Sequence, residues 1–299
     1  MPPTNAEARA GGPLAGEELA VDRWILAGTS LLFLIRPGGP WWVRLGLILL
    51  AALALLGPRR LPRPGLWWSF AALLGIRLIV EWPLADNHLY LESYWALALA
   101  LALGAAAPAE VLKRSARLLI GGAFAFAVLW KAALSPDYRD GRFFRVTLLE
   151  DPRMTHALRL AGLDEPTIAA NREALKPWPA GVEPVDPPRV DEPPVLRRLA
   201  TFLTWWGGIG LEALIAIAFL LPLRGRVELA RPLLLLAFCM SVYALAPVSG
   251  FAWLLLLMSL AALPVGASPR WRQAHAAVAA LVLLWGEMPW SRFLDAVSG

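Results

Sequence analysis

Among the ionisable side chains within or at the ends of apolar stretches of this sequence, four stand out: Arg77, His88, Lys131 and Glu212. On insertion scales such a group costs roughly 2.5–3.5 kcal/mol at mid-membrane, so each needs a partner or a task. Lys131 ends an apolar run, whereas Lys113 and Lys176 stand between runs. Arginine keeps its proton, but a partly buried lysine can release one and act as a base. A lysine at a helix end also commonly snorkels to the interface, and both roles stay open for Lys131. Glu212 follows Trp205-Trp206-Gly-Gly-Ile-Gly-Leu. Those small residues permit close helix approach. They turn Glu212 towards a bundle interior, as a helix-packing partner or as part of a substrate cavity.

His88 sits in a polar knot, Glu81-Trp-Pro-Leu-Ala-Asp-Asn-His88-Leu-Tyr90-Leu, wedged between two apolar runs. A neutral imidazole can organise hydrogen bonds, accept a proton or ligate a metal. Neither His156 nor His275 gives a Cys/His spacing of a metal site, so no metal is expected. His88 is expected to bond across helices beside Asp86 and Asn87. Arg77 precedes Glu81 by one turn, the spacing of an intrahelical ion pair. The sequence carries no G-x-S-x-G, P-loop or dinucleotide fingerprint.

Positioning such groups takes a membrane bundle. Of 299 residues, 58% are apolar and 17% charged, with mean hydropathy +0.55. That composition belongs to an all-α, polytopic integral membrane protein. The net charge of +5 does not signify nucleic acid, because the basic residues form no stripe or tail. They cluster in short loops between apolar runs, and fifteen tryptophans suit interfacial belts. About nine spans are expected, roughly 20–37, 41–58, 65–83, 88–106, 114–134, 197–222, 230–247, 250–266 and 272–290.

Loop charge orients them. Basic residues follow spans two (Arg59, Arg60, Arg63), four (Lys113, Arg114, Arg117), six (Arg224, Arg226, Arg231) and eight (Arg270, Arg272). The N-terminus is therefore expected in the cytoplasm and the C-terminus outside a plasma membrane. Residues 1–19 read as a disordered cytoplasmic tail, with no cleavable signal peptide expected, and 20–299 as the membrane domain. The extracytoplasmic segment 135–196 lies between spans five and six. It holds short amphipathic helices from Asp151-Pro152 and near Asp164, and then an extended proline-rich connector, Pro177 to Pro194. Cys239, the single cysteine, reads as a buried hydrophobe.

Residues Trp82 to Leu91, W-P-L-A-D-N-H-L-Y-L, resemble a W-x-x-x-[ND]-N-H-x-Y-L pattern. That pattern marks the membrane part of vitamin K-dependent gamma-carboxylases and their bacterial relatives, the horizontally transferred transmembrane (HTTM) domain proteins. Lys131-Ala-Ala-Leu-Ser-Pro-Asp137-Tyr138-Arg-Asp-Gly141 is similar to the family segment in which a lysine precedes D-W-x-x-G. Glu212 with its apolar run resembles a later helix of the domain. The resemblance covers roughly residues 20–290, and its specific part is two short motifs.

It implies Lys131 as a base towards a reduced, vitamin K-like quinone, with His88 as organiser of the catalytic pair. Asn87, Trp205 and Glu212 are then candidates for holding that cofactor. Two departures stand out. Lys131 lies two residues further from the Asp-Tyr-x-x-Gly motif than the family lysine, about 200° on a continuous helix; a local insertion after Lys131 would restore its direction. No large extramembrane domain of the kind that holds protein substrates in the carboxylases is expected within these residues. The expected function is binding of, or action on, a lipid-soluble quinone or lipid at an outward-facing cavity. The alternative is a non-enzymatic membrane scaffold whose polar knot packs helices.

Overall fold

Proline and a few capping side chains set where the helices begin. The structure, a computed structural model, describes residues 21–85, 87–176, 190–223, 225–245, 248–264 and 267–287. The expected 1–19 tail, Asp86 and most of the Pro177–Pro194 connector lie outside these residues. Every regular element among the described residues is a helix. The elements in order are α1 (Arg23–Ile35), α2 (Trp41–Leu56), α3 (Pro64–Glu81), α4 (Asn87–Leu103) and α5 (Pro108–Leu129). The short helices α6 (Pro136–Arg139), α7 (Arg142–Glu150), α8 (Thr155–Leu160) and α9 (Glu165–Ala174) follow. Then come α10 (Pro194–Phe202), α11 (Leu211–Leu220), α12 (Ala230–Leu245), α13 (Ser249–Ala261) and α14 (Arg270–Glu287).

Pro64, Pro108, Pro136 and Pro194 open α3, α5, α6 and α10, where a missing N–H costs nothing. Asp22 caps α1 by accepting from the Trp24 N–H at 3.0 Å, and Asp164 caps α9 by accepting from Thr167 N–H at 3.0 Å. Among the described residues, three helices are long and apolar enough to cross a membrane. They are α3, α5 as continued to Leu134, and the 27 residues from Pro194 to Leu220 that join α10 to α11.

The chain divides into two compact units. The first comprises residues up to 123 and 215–286. Trp67, Trp95, Phe33 and Phe70 are its largest buried apolar side chains, and the Phe33 and Phe70 rings lie 5.1 Å apart. Each buried indole has an acceptor: Thr29 Oγ1 at 3.1 Å for Trp95 and the Leu61 carbonyl at 2.7 Å for Trp67. Without them a buried N–H would cost about 1–3 kcal/mol. The last carbonyls of α11 lack intrahelical partners by geometry. Arg231, 1% exposed, donates to the Ala218 and Leu221 carbonyls at 2.8 Å each. Arg117 adds a bond to Leu221 at 3.1 Å. Two cations at a helix C-terminus also match its dipole.

The second unit comprises 124–214 and 287–299. Leu148, Leu149, Leu158, Leu163, Ile168 and Leu196 form its apolar core, each worth about 1.5–3 kcal/mol when fully buried from water. Arg172 ties α9 to α7 by donating to the Leu149 carbonyl at 2.9 Å. The Asn171 amide exchanges two 2.8 Å bonds with the Asp191 backbone, pinning the chain that leads to α10. Asp151-Pro152 starts a 3₁₀ turn (Pro152–Met154) ahead of α8. Gly162, at φ +96°, ends α8 in the left-handed conformation that glycine adopts most easily.

Candidate functional site

Two of the three membrane-length helices widen from α to π geometry, and the wide turns flank the ionisable residues. α5 continues as a π-helical stretch, Trp130–Leu134, which contains Lys131. α10 continues as another, Leu203–Gly210, and Glu212 follows it directly in α11. Inserted π turns recur at functional sites because they re-aim side chains without ending the helix. Here both changes of pitch fall in the second unit.

Lys131 Nζ donates to Glu212 Oε1 in an ion pair. The two side chains are 17% and 7% exposed. Both charges are thus largely withdrawn from water, where an ion pair persists only with close contact. The other oxygen, Glu212 Oε2, is buried and receives no hydrogen bond from any described protein group. Thr204 Oγ1, in the wide stretch below Glu212, is likewise buried without a bond.

Tyr138 completes the cluster. Ser135 breaks the helix with an extended backbone (φ −112°, ψ 103°), as a residue before proline prefers, and Pro136 starts α6. Lys131 Nζ then lies 5.3 Å from the centroid of the Tyr138 ring, within cation–π range. Tyr138 stacks on Phe143 at 4.4 Å, and Phe144 meets Phe143 edge-on at 5.4 Å. Burial pushes the Tyr138 phenol up to about 12, and the nearby Glu212 carboxylate acts in the same direction. Gly141, at φ +75°, lets α7 start against α10; a Cβ there would lie 3.4 Å from the Thr201 nitrogen.

Lys131 and the Asp137-Tyr138 pair do not share a continuous helix, because the widened turn and the break at Ser135 lie between them. Trp205 lies in the wide stretch before Glu212 and is 44% exposed. Its carbonyl lies 2.9 Å from where a Cβ on Gly210 would stand, so that position requires glycine.

The polar knot belongs to the first unit. Glu81 closes α3 and pairs with Arg77 at 3.0 Å, the one-turn spacing expected. Arg77 also reaches Glu92 of α4 at 3.7 Å, and its guanidinium fills the space above Gly38 and Gly39. Asn87 opens α4 and is exposed. The His88 ring is half-buried and packs on Phe251 of α13, with centroids 4.4 Å apart. Asp86, the expected neighbour of His88, lies outside the described residues. Lys131, Glu212 and Trp205 thus fall in one unit, and His88 and Asn87 in the other.

Sequence reasoning left Tyr138, Thr204 and the Phe143–Phe144 pair unassigned. Tyr138 had a signal, since it occupies the aromatic position of the D-W-x-x-G-like motif. Thr204 had none, because an isolated threonine in an apolar run is common. No family model, curated protein or solved structure matches the chain.

Proposed function

We propose that this chain is a multi-pass membrane protein of the HTTM type that holds a lipid-soluble quinone or quinol beside Lys131 and Glu212. One observation carries the reading: a lysine–glutamate pair sits within helices apolar enough to span a bilayer and leaves one carboxylate oxygen unbonded. Ionisable side chains within membrane segments are rare and costly, and they characteristically mark substrate, ion or proton pathways.

The residues fit the headgroup. A lysine ammonium has three N–H donors, of which one serves Glu212 Oε1. Lys131 can therefore offer a donor to a carbonyl oxygen, and Glu212 Oε2 can accept from a hydroxyl. Tyr138, with Phe143 behind it, supplies an aromatic face. A bound quinol would supply the redox chemistry. Lys131 and Glu212 would hold or pass its proton, while Tyr138 and the apolar helices exclude water. In this reading Trp205 borders the cofactor, His88 and Asn87 organise their own helix junction, and nine helices cross the plasma membrane with the N-terminus inside.

The test is extraction of the purified protein followed by mass spectrometry for quinones. Wild-type protein should carry a stoichiometric quinone that Lys131→Ala loses while remaining folded. A protein free of quinone, and unable to bind or turn over an added quinol, overturns the reading. The scaffold reading draws on a separate observation, the Arg77–Glu81–Glu92 cluster over Gly38 and Gly39, which serves helix packing. It predicts that His88→Ala lowers thermal stability and removes no activity.

A further inference from the structure

We infer that Glu212 Oε2 makes the Lys131 site selective for a neutral, membrane-soluble ligand that donates a hydrogen bond, an alcohol or phenol, over isosteres that only accept. The inference rests on reading this cluster as a ligand site, but not on the ligand being a quinone.

The side chain of Glu212 is 7% exposed, and its two oxygens are not equivalent. Oε1 takes the Lys131 ammonium, while Oε2 takes nothing from the described protein groups. A buried acceptor without a donor loses its hydration and gains nothing in exchange. The pair is neutral as a whole, so nothing in it attracts a second cation or an anion strongly. What Oε2 lacks is one hydrogen, supplied by an O–H or N–H on an otherwise apolar molecule. The surroundings suit an aromatic carrier: Tyr138 lies over Lys131, Phe143 stacks on Tyr138, and Phe144 lies against Gly208, 3.7 Å from the place of its missing Cβ. A methyl ether or a fully oxidised quinone can take an N–H from Lys131 but leaves Oε2 as it was. Sites that hold a buried polar group for a ligand hydroxyl discriminate against analogues lacking it far better than sites that recognise size alone.

Three probes of similar ring size separate the cases: 2-naphthol, its ether 2-methoxynaphthalene, and 2-methyl-1,4-naphthoquinone. Binding to the full chain in lipid nanodiscs is measured by calorimetry, with empty nanodiscs correcting for partition. The expected result is 2-naphthol binding at least about tenfold more tightly than the ether, the span of a hydrogen bond to a charged acceptor. In Glu212→Gln the preference shrinks. Because that variant strands the Lys131 charge, the double variant Lys131→Met/Glu212→Gln provides the check, and its naphthol-to-ether ratio should approach one. Equal binding of naphthol and ether to wild-type protein, no naphthol binding, or a ratio unchanged in the double variant overturns the inference. Selective naphthol binding without any binding of quinone or quinol would leave the inference standing and sink the quinone reading. Tight naphthoquinone binding without alcohol selectivity would do the reverse.

Discussion

Lys131 and Glu212 are 81 residues apart in sequence and joined in an ion pair; Lys131 lies within, and Glu212 just after, a stretch where its helix widens to π geometry. The wide turns explain how both groups come to face the same place. A π turn takes more residues per revolution than an α turn, so each inserted residue rotates everything beyond it by about 100°. Glycines at 207, 208 and 210 accommodate the wider stretch before Glu212. The Trp205 carbonyl leaves no room for a side chain at 210.

The pair predicts a specific pattern of stabilities. Removing one partner leaves a buried charge uncompensated, which costs about 3–5 kcal/mol. Lys131→Met and Glu212→Gln should each lower stability by that order. The double variant should be less destabilised than either single variant, because it leaves no charge behind. Denaturant unfolding in detergent measures all four proteins of the cycle. Additive losses would mean that the two side chains do not interact.

Much of this arrangement was legible in the sequence, and the remainder was not for physical reasons. The pairing of Arg77 with Glu81 follows from helix period alone, and the start of α9 from the capping signal at Asp164. Apolar runs and proline boundaries announced helices throughout, since both act within one turn of the chain. The partner of Lys131 was not legible, because no local rule joins residues so far apart. The π stretches escaped for a related reason: their hydrophobic pattern is that of any apolar helix. Tyr138 was visible only as a motif member, its closeness to Lys131 depending on the break at Ser135.

Gly38 and Gly39 should behave differently although they are neighbours. A Cβ on Gly38 would overlap the Arg77 guanidinium. Gly38→Ala must therefore displace the guanidinium from Glu81 and Glu92, and its cost should match that of Arg77→Ala. Combining the two should cost little more than either. Gly39 adds a φ of +98°, where alanine is strained by about 1 kcal/mol or more. Gly39→Ala should thus remain destabilising in the Arg77→Ala background. Thermal unfolding of the five variants decides it, and a fully additive Gly38/Arg77 pair would refute the displacement argument.

The proposed orientation can be read without purification. On the proposed orientation, with positive loops after spans two, four, six and eight inside, residue 184 is expected outside the cell. A cysteine replacing Pro184, in a Cys239→Ala background, should react with an impermeant maleimide on intact cells. Native Cys239 is buried and should label poorly in either case. Labelling of residue 184 only after lysis would invert the topology.

The Tyr138 phenol gives the chain a stability change at high pH whose sign is fixed. In the unfolded chain tyrosine ionises near its ordinary value of 10.0, whereas in the folded protein burial beside Glu212 delays ionisation to about 12. Below pH 10 the phenol is neutral in both states and contributes no pH dependence. Between 10 and 12 the folded state binds more protons than the unfolded one, so stability falls as pH rises. Tyr138→Phe removes this group. The difference in unfolding free energy between wild type and Tyr138→Phe should therefore be flat from pH 8 to 9.5. It should then move against wild type towards pH 11.5. A flat difference across the whole range would show that Tyr138 ionises as freely when folded as when unfolded, and so is not buried against the Lys131–Glu212 pair.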